Sequence, residues 1–178
     1  ALPSMHVVYT VPVYAKPAGW EGQTWPVLNV KVQERDGSEC REGISLLRQV
    51  LARRAPGGDL DRLLGGQVDH LICASGGLFR ELFRLVSLLL VKDGALPVSR
   101  ADVGQVERHE RSHAAVGITE EQWEILRTVR QTGQLRFPRE RTSEAWKLQA
   151  LGYVLCYRNG AVDWYGVQPL LNELLDET

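Results

Sequence analysis

Cysteine is scarce in this chain: three residues in 178, Cys40, Cys73 and Cys156, far apart and in no C-x-x-C pair. That pattern fits reduced, mostly buried thiols in a cytosolic protein. Excess charge is lacking as well: the formal net charge is −1, so no global field draws the chain to nucleic acid or to a membrane surface. No hydrophobic run is long enough to cross a bilayer; the most apolar stretch, Leu78 to Val91, is short and holds two arginines. The opening Ala-Leu-Pro-Ser-Met has no basic n-region, so no secretory leader is expected and the chain reads as cytoplasmic. Also missing are a G-x-x-x-x-G-K-[ST] sequence and an apolar strand ending in Asp-Glu. Without them the chain has no phosphate cradle, no magnesium-ligating hydroxyl and no carboxylate to activate water. Ser75, in Ala-Ser-Gly-Gly, lacks the G-x-S-x-G elbow of a serine hydrolase. What the chain does have is an apolar content of 44%, enough for a real core, and a length that suits one largish domain or two small ones.

The stretch from His70 to Lys92 organises the rest. It reads as a helix end, a Ser75-Gly76-Gly77 turn and a second helix. Gly76 and Gly77 permit a tight backbone turn that a Cβ would hinder. In the second helix Leu78, Leu82, Leu85 and Leu89 form one stripe, and Phe79, Phe83, Val86 and Leu90 form another, so near-complete burial is expected. Arg80, Arg84 and Ser87 share the narrow polar strip that remains. Two arginines in the first two turns stand against the positive end of the helix dipole. Free N–H groups together with guanidinium groups suit an anion, phosphate above all. The plainer alternative is that both arginines pair with surface carboxylates.

Upstream, Met5 to Val11 reads as a buried strand ended by Pro12, Val13 to Pro26 as a loop carrying Trp20 and Trp25, and Val27 to Val32 as a second strand. Asp36-Gly37 marks a turn. Glu39 to Arg54 reads as an amphipathic helix facing inward through Ile44, Leu47, Val50 and Leu51, stopped by Pro56-Gly57-Gly58. Asp59 caps a short helix to Leu64, and Gln67 to Ala74 forms another. Downstream, Ser99 to Asp102 resembles a capping box opening a polar helix to about His113. His109 and His113 have zinc-ligand spacing but no third ligand, so they read as solvated. Thr119 to Gln122 is a second capping box, for a helix that buries Trp123, Leu126 and Val129. Thr142 or Ser143 is expected to cap the next helix, with Ala145, Trp146, Leu148 and Leu151. A hairpin turning at Asn159-Gly160 follows, then a short helix entered at Pro169. Helix, loop, helix, hairpin is the order of a winged helix. From Arg127 to Arg158 seven basic residues face two acidic ones, and Arg136, Arg139, Arg141 and Lys147 lie where such a module meets nucleic acid.

In this order the pieces resemble the C-terminal half of an AAA+ or STAND-type P-loop ATPase of the origin-recognition kind. Ser75-Gly76-Gly77-Leu78-Phe79-Arg80-Glu81-Leu82 looks like the sensor-2 motif of that group. The resemblance implies that Arg80 reaches the γ-phosphate of ATP from the lid, with Arg84 beside it. It also implies that Thr10 occupies the sensor-1 position and that Arg53 or Arg54 is a trans-acting finger. The expected fold is mixed α+β and helix-rich: an α/β fragment (residues 1–57), a helical lid (58–95) and a winged helix (96–178). The implied cofactor is ATP, with magnesium only if an upstream half supplies its ligands. The implied partners are that N-terminal half and, through the winged helix, duplex DNA or a protein, with no membrane and with oligomerisation left open. The competing expectation is a self-contained winged-helix DNA-binding regulator with its own N-terminal ligand or dimerisation domain. For the basic cluster, three or four phosphate contacts predict a salt slope near about −3.

Overall fold

A computed structural model describes residues 27–91 and 95–177. Eight α-helices and one two-stranded antiparallel sheet follow one another among these residues. The chain enters as an extended segment that donates from the Asn29 and Val30 amides to the carbonyls of Cys156 and Gly77, at 3.1 and 3.2 Å. The expected second strand, Val27 to Val32, is extended but forms no ladder among the described residues; just after it an isolated bridge joins Gln33 to Glu39 across the Asp36-Gly37 turn. Its backbone instead lies along the Gly-Gly turn and the first strand of the hairpin. The first expected strand, the Trp20/Trp25 loop and Thr10 lie outside the described residues.

Helix α1 (Arg41–Ala52) buries Ile44, Leu47 and Leu51, as the 3.6-residue period predicts. The Asp59 carboxylate accepts from the Arg62 amide at 3.0 Å and opens α2 (Leu60–Leu64). Then come α3 (Val68–Ala74) and α4 (Phe79–Val91), joined through Gly76 and Gly77 at φ of +61° and +74°. Both of these glycines are required by packing as well as by backbone angle. A Cβ on Gly76 would overlap the Leu155 side chain, and one on Gly77 would overlap the Val30 carbonyl. Only one stripe of α4 is buried, Leu82, Leu85 and Leu89. Phe79, Leu88, Leu90 and Val91 are exposed, which corrects the expectation of a nearly wholly buried helix. The helix has neighbours on one side, α3 and α5 (Arg100–Val116), and nothing among the described residues covers the other.

Helices α5 and α6 (Glu120–Thr132) open with the two capping boxes read from sequence, Ser99/Asp102 and Thr119/Gln122. Helix α7 (Arg139–Leu151) starts earlier than expected, with Pro138 in the N-cap position. Thr142 is inside the helix, its hydroxyl donating back to the Pro138 carbonyl at 3.0 Å. Strands β1 (Val154–Asn159) and β2 (Val162–Val167) pair with Asn159 opposite Val162. The turn is thus Gly160-Ala161, one residue later than expected. Gly160 has φ of +58° and no other residue there does, so the two positive φ values of a type I′ turn are not present. A 3₁₀ turn at Pro169–Leu171 leads into α8 (Asn172–Glu177).

Two main apolar clusters result. One gathers Val32, the inner faces of α1 to α4, Val103 and Val106 of α5, and Leu170. It contains residues from both sides of position 57. The other gathers Ile118, α6, α7, Val154, Val167, Leu171 and Leu175. Helix α5 reaches both, with Val103 and Val106 in the first and Ala114 against the second. Among the described residues no helix is long and apolar enough to cross a membrane.

Candidate functional site

The Ser75-Gly76-Gly77 turn is buried and fully engaged. Ser75 is 0% exposed; its hydroxyl donates to the Ile72 carbonyl at 2.7 Å and accepts from the Gly77 amide at 3.2 Å. Two side chains from the other end of the chain complete it. The Tyr157 hydroxyl donates to the Gly76 carbonyl at 2.6 Å, and Gln168 Nε2 donates to the Ala74 carbonyl at 3.1 Å. The amide oxygen of the same side chain, Gln168 Oε1, accepts from the Leu170 N–H at 2.6 Å, so Gln168 is engaged through both its nitrogen and its oxygen. Burial pushes the Tyr157 phenol above its ordinary pKa, so it stays a donor across the working pH range. Its ring packs on Trp164, centroids 4.7 Å apart; the buried Trp164 Nε1 has no hydrogen-bond partner among the described residues. The turn's backbone is therefore held by the hairpin and by the segment that follows it. Sequence reasoning missed Tyr157 and Gln168, since they lie 81 and 94 positions from their acceptors and no local pattern marks them.

The two arginines at the start of α4 have different surroundings. Arg84 pairs with Glu81 at 2.6 Å and with Glu110 of α5, a carboxylate only 7% exposed. Arg80 pairs with no carboxylate among the described residues. Its Nη2 donates at 3.2 Å to the carbonyl of Leu151, the last residue of α7, where the helix dipole favours a cation. Arg80 borders a cleft of about 340 Å³ between the start of α4, the end of α7 and the hairpin. Leu28, Leu78, Val154 and Tyr165 form its apolar walls, and Asn29, Gln149 and the Asp163 carboxylate, itself paired with Arg158, add polar groups. Thus Arg80 and Arg84, expected to act side by side, face different partners. Thr10 lies outside the described residues. Arg54 stacks over the Phe83 ring, 4.3 Å from its centroid.

The four basic residues of the second half also divide. Arg141 pairs with Glu124 at 2.9 Å and sits 3.7 Å from Glu121, both on α6. Lys147 pairs with Glu144 at 2.5 Å, and Gln122 also donates to that carboxylate, so Glu144 is held below the usual carboxylate range. Arg136 and Arg139 are exposed and have no carboxylate partner among the described residues. Trp146, expected in the core, is 41% exposed, and Leu151 is 55% exposed. The reason is that Ala145 and Leu148 are the only residues of α7 that are buried, leaving most of its circumference outside. His109 and His113 meet with ring centroids 4.4 Å apart and planes tilted by 56° on the exposed side of α5, and no group of three or more possible metal ligands occurs among the described residues.

A second cleft, about 280 Å³, lies between Val32, α3, α5 and Pro169. Its polar groups are largely paired: His70 with Glu107 at 2.7 Å, and Arg111 with Glu173 and with the Leu170 carbonyl. Cys73 lines it, and burial, aided by Glu39 and Asp69, pushes its thiol up to about 11, far from a reactive thiolate.

No family model matches the chain, and neither a curated protein nor a solved structure matches it.

Proposed function

We propose that this chain is the C-terminal portion of an ATP-binding P-loop switch ATPase of the AAA+ or STAND type. On this reading it supplies a helical lid and a winged-helix output module and has no complete active site of its own. The observation that carries the reading is the joint at the Gly-Gly turn. The turn that resembles a nucleotide sensor is hydrogen-bonded through its backbone to the hairpin of the module downstream. A shift of the turn on nucleotide binding would be felt directly by that module, which is what a switch requires. The residues here fit one part of an ATP site. Arg80 offers a guanidinium beside an open cleft, held among the described residues by a neutral acceptor, the Leu151 carbonyl. Phosphate cradle and magnesium ligands belong to an upstream half, which would supply the chemistry of hydrolysis; this chain's residues would orient and sense.

The test is direct. The reading frame upstream of Ala1 should encode a G-x-x-x-x-G-K-[ST] sequence, and protein carrying that half should bind labelled ATP. The 178-residue chain alone should release no phosphate above a blank. A start codon directly before Ala1, or steady hydrolysis by the isolated chain, overturns the reading.

One observation favours a second reading, a winged-helix regulator that binds duplex DNA. Arg136 and Arg139 are exposed at the entry of α7 without carboxylate partners among the described residues, and Trp146 is half-exposed further along the same helix. Duplex binding that survives in protein lacking any nucleotide site would favour it.

A further inference from the structure

We propose that Asn159-Gly160, at the tip of the hairpin, is a site of spontaneous covalent modification, activated by Lys31: the Gly160 nitrogen closes on the Asn159 side chain, ammonia leaves, and water opens the resulting succinimide to aspartate or isoaspartate. The inference does not depend on the ATPase reading. The pair is exposed at the end of β1. Gly160 has φ of +58° and carries no side chain, and the space where a Cβ would sit is open. The Asn159 amide is held in one orientation by the segment that enters the fold. Its Oδ1 accepts from Lys31 Nζ at 2.9 Å, and Lys31 also pairs with Glu34 at 2.8 Å. A lysine ammonium only donates, so it is the amide oxygen that faces Lys31. The amide nitrogen is left to the Glu34 carboxylate, which takes a hydrogen bond from Asn159.

This arrangement bears on the reaction step by step. Solvent hydroxide takes the Gly160 N–H proton, and the nitrogen forms a bond to Asn159 Cγ. The carbonyl electron pair moves onto Oδ1, where the Lys31 ammonium already sits, and a donor placed at a developing oxyanion lowers the barrier. The pair then returns, the Cγ–Nδ2 bond breaks, and the nitrogen leaves as ammonia with a proton from water. Hydrolysis adds one water at either carbonyl of the ring. The Asp36-Gly37 turn is the internal contrast. It too is exposed, with Gly37 at φ of +87°. Ser38, however, donates to the Asp36 carboxylate through its hydroxyl and its amide, at 2.7 and 3.0 Å, and holds it below its usual range. That group stays ionised and is a poor electrophile. The product at position 159 alters the fold locally. A carboxylate there keeps Lys31 and loses the donor to Glu34. Isoaspartate also adds a carbon to the main chain where Asn159 pairs with Val162. Either product loosens the tie between the entering segment and the hairpin tip.

Peptide mass mapping of the folded 178-residue chain, aged at mildly alkaline pH, tests the proposal. It should show ammonia exchanged for water at Asn159 and at neither Asn29 nor Asn172, with Asp36-Gly37 unchanged. An isoaspartate methyltransferase assay should report the second product. Asn159→Gln, whose ring closure is far slower, should abolish the conversion. Lys31→Met, which keeps the apolar stem and removes the charge, should slow it about fivefold, the upper end for one exposed charge. Lys31→Arg should restore the rate, which separates the charge from any loss of folding in the methionine variant. A urea-unfolded sample of the wild type runs in parallel as the measure of the dipeptide alone. Conversion confined to the unfolded sample means that the hold on the amide protects it, and overturns the proposal. Equal rates in wild type and Lys31→Met mean that the ammonium takes no part, and overturn it as well.

Discussion

Replacing Tyr157 by phenylalanine removes a single oxygen atom and should detach the hairpin from the Gly-Gly turn. The ring stays, and with it the packing on Trp164 at 4.7 Å and on Leu155. What goes is the hydroxyl that donates to the Gly76 carbonyl at 2.6 Å, in a site where Tyr157 is 0% exposed. A buried acceptor left without a donor costs about 1–3 kcal/mol. Strong burial and a short bond place this site in the upper half of that range, about 2 kcal/mol. For a chain of this size that corresponds to a fall in melting temperature of about 4–8 °C. Urea unfolding followed by tryptophan fluorescence should show a lower midpoint with an unchanged slope, since the area exposed on unfolding is nearly the same. Gln168→Leu should behave alike, because Gln168 holds the Ala74 carbonyl one turn away. The double variant should cost less or more than the sum, as both bonds act on the same short loop. A change below about 0.5 kcal/mol for Tyr157→Phe would mean that the joint does not depend on this bond and that the hairpin is not coupled to the Gly-Gly turn through it.

On α4, Leu82→Ala should cost about 2–5 kcal/mol, whereas Leu88→Ala, at a position 38% exposed, should cost under about 1 kcal/mol; equal losses in thermal melts would refute the one-sided burial of this helix. Stability should fall as pH rises from 9.0 towards about 11, because burial raises the Cys73 thiol into that window and the unfolded chain loses its proton first. Cys73→Ala should flatten that part of the profile, and an unchanged slope would assign the loss to other groups. If duplex DNA binds through Arg136 and Arg139 alone, the slope of log K against log salt should be about −2, not the about −3 expected from the sequence. Arg136→Glu with Arg139→Glu should abolish binding while Arg141→Glu changes it little; identical losses from all three would mean that the Arg141 pair with Glu124 opens on the duplex.

Much of the local structure was legible because its signals are local. The Asp59 cap, both capping boxes and the Gly76-Gly77 turn depend on residues within one helical turn of each other. Errors arose where a choice depended on a partner far along the chain. Alternation in Val27 to Val32 reads as a strand, yet its amides find Gly77 and Cys156, so no ladder forms. The Asn-Gly pair is a favoured turn, but the register set by Tyr157 opposite Trp164 moves the turn to Gly160-Ala161. Trp146 follows the apolar pattern of α7 and is nonetheless half-exposed, because α6 and β1 cover only the Ala145–Leu148 side. For the candidate site, the sequence singled out Arg80 and Arg84 by their odd position near a helix start and left open whether they meet an anion or carboxylates.

By itself the sequence determined the order of the helices, the capped starts of α2, α5 and α6, and the place of the Gly-Gly turn, because capping, periodicity and glycine freedom act over four residues or fewer. It also determined that no phosphate cradle is encoded between Ala1 and Thr178. Only the tertiary structure decided which arginine is committed and which is available. Arg84 is bound to Glu110, 26 positions away, and Arg80 to a carbonyl 71 positions away. It alone decided that Tyr157 and Gln168 would reach the turn. Pairings over such distances are set by how two apolar clusters dock against each other, and no window of local sequence carries that information.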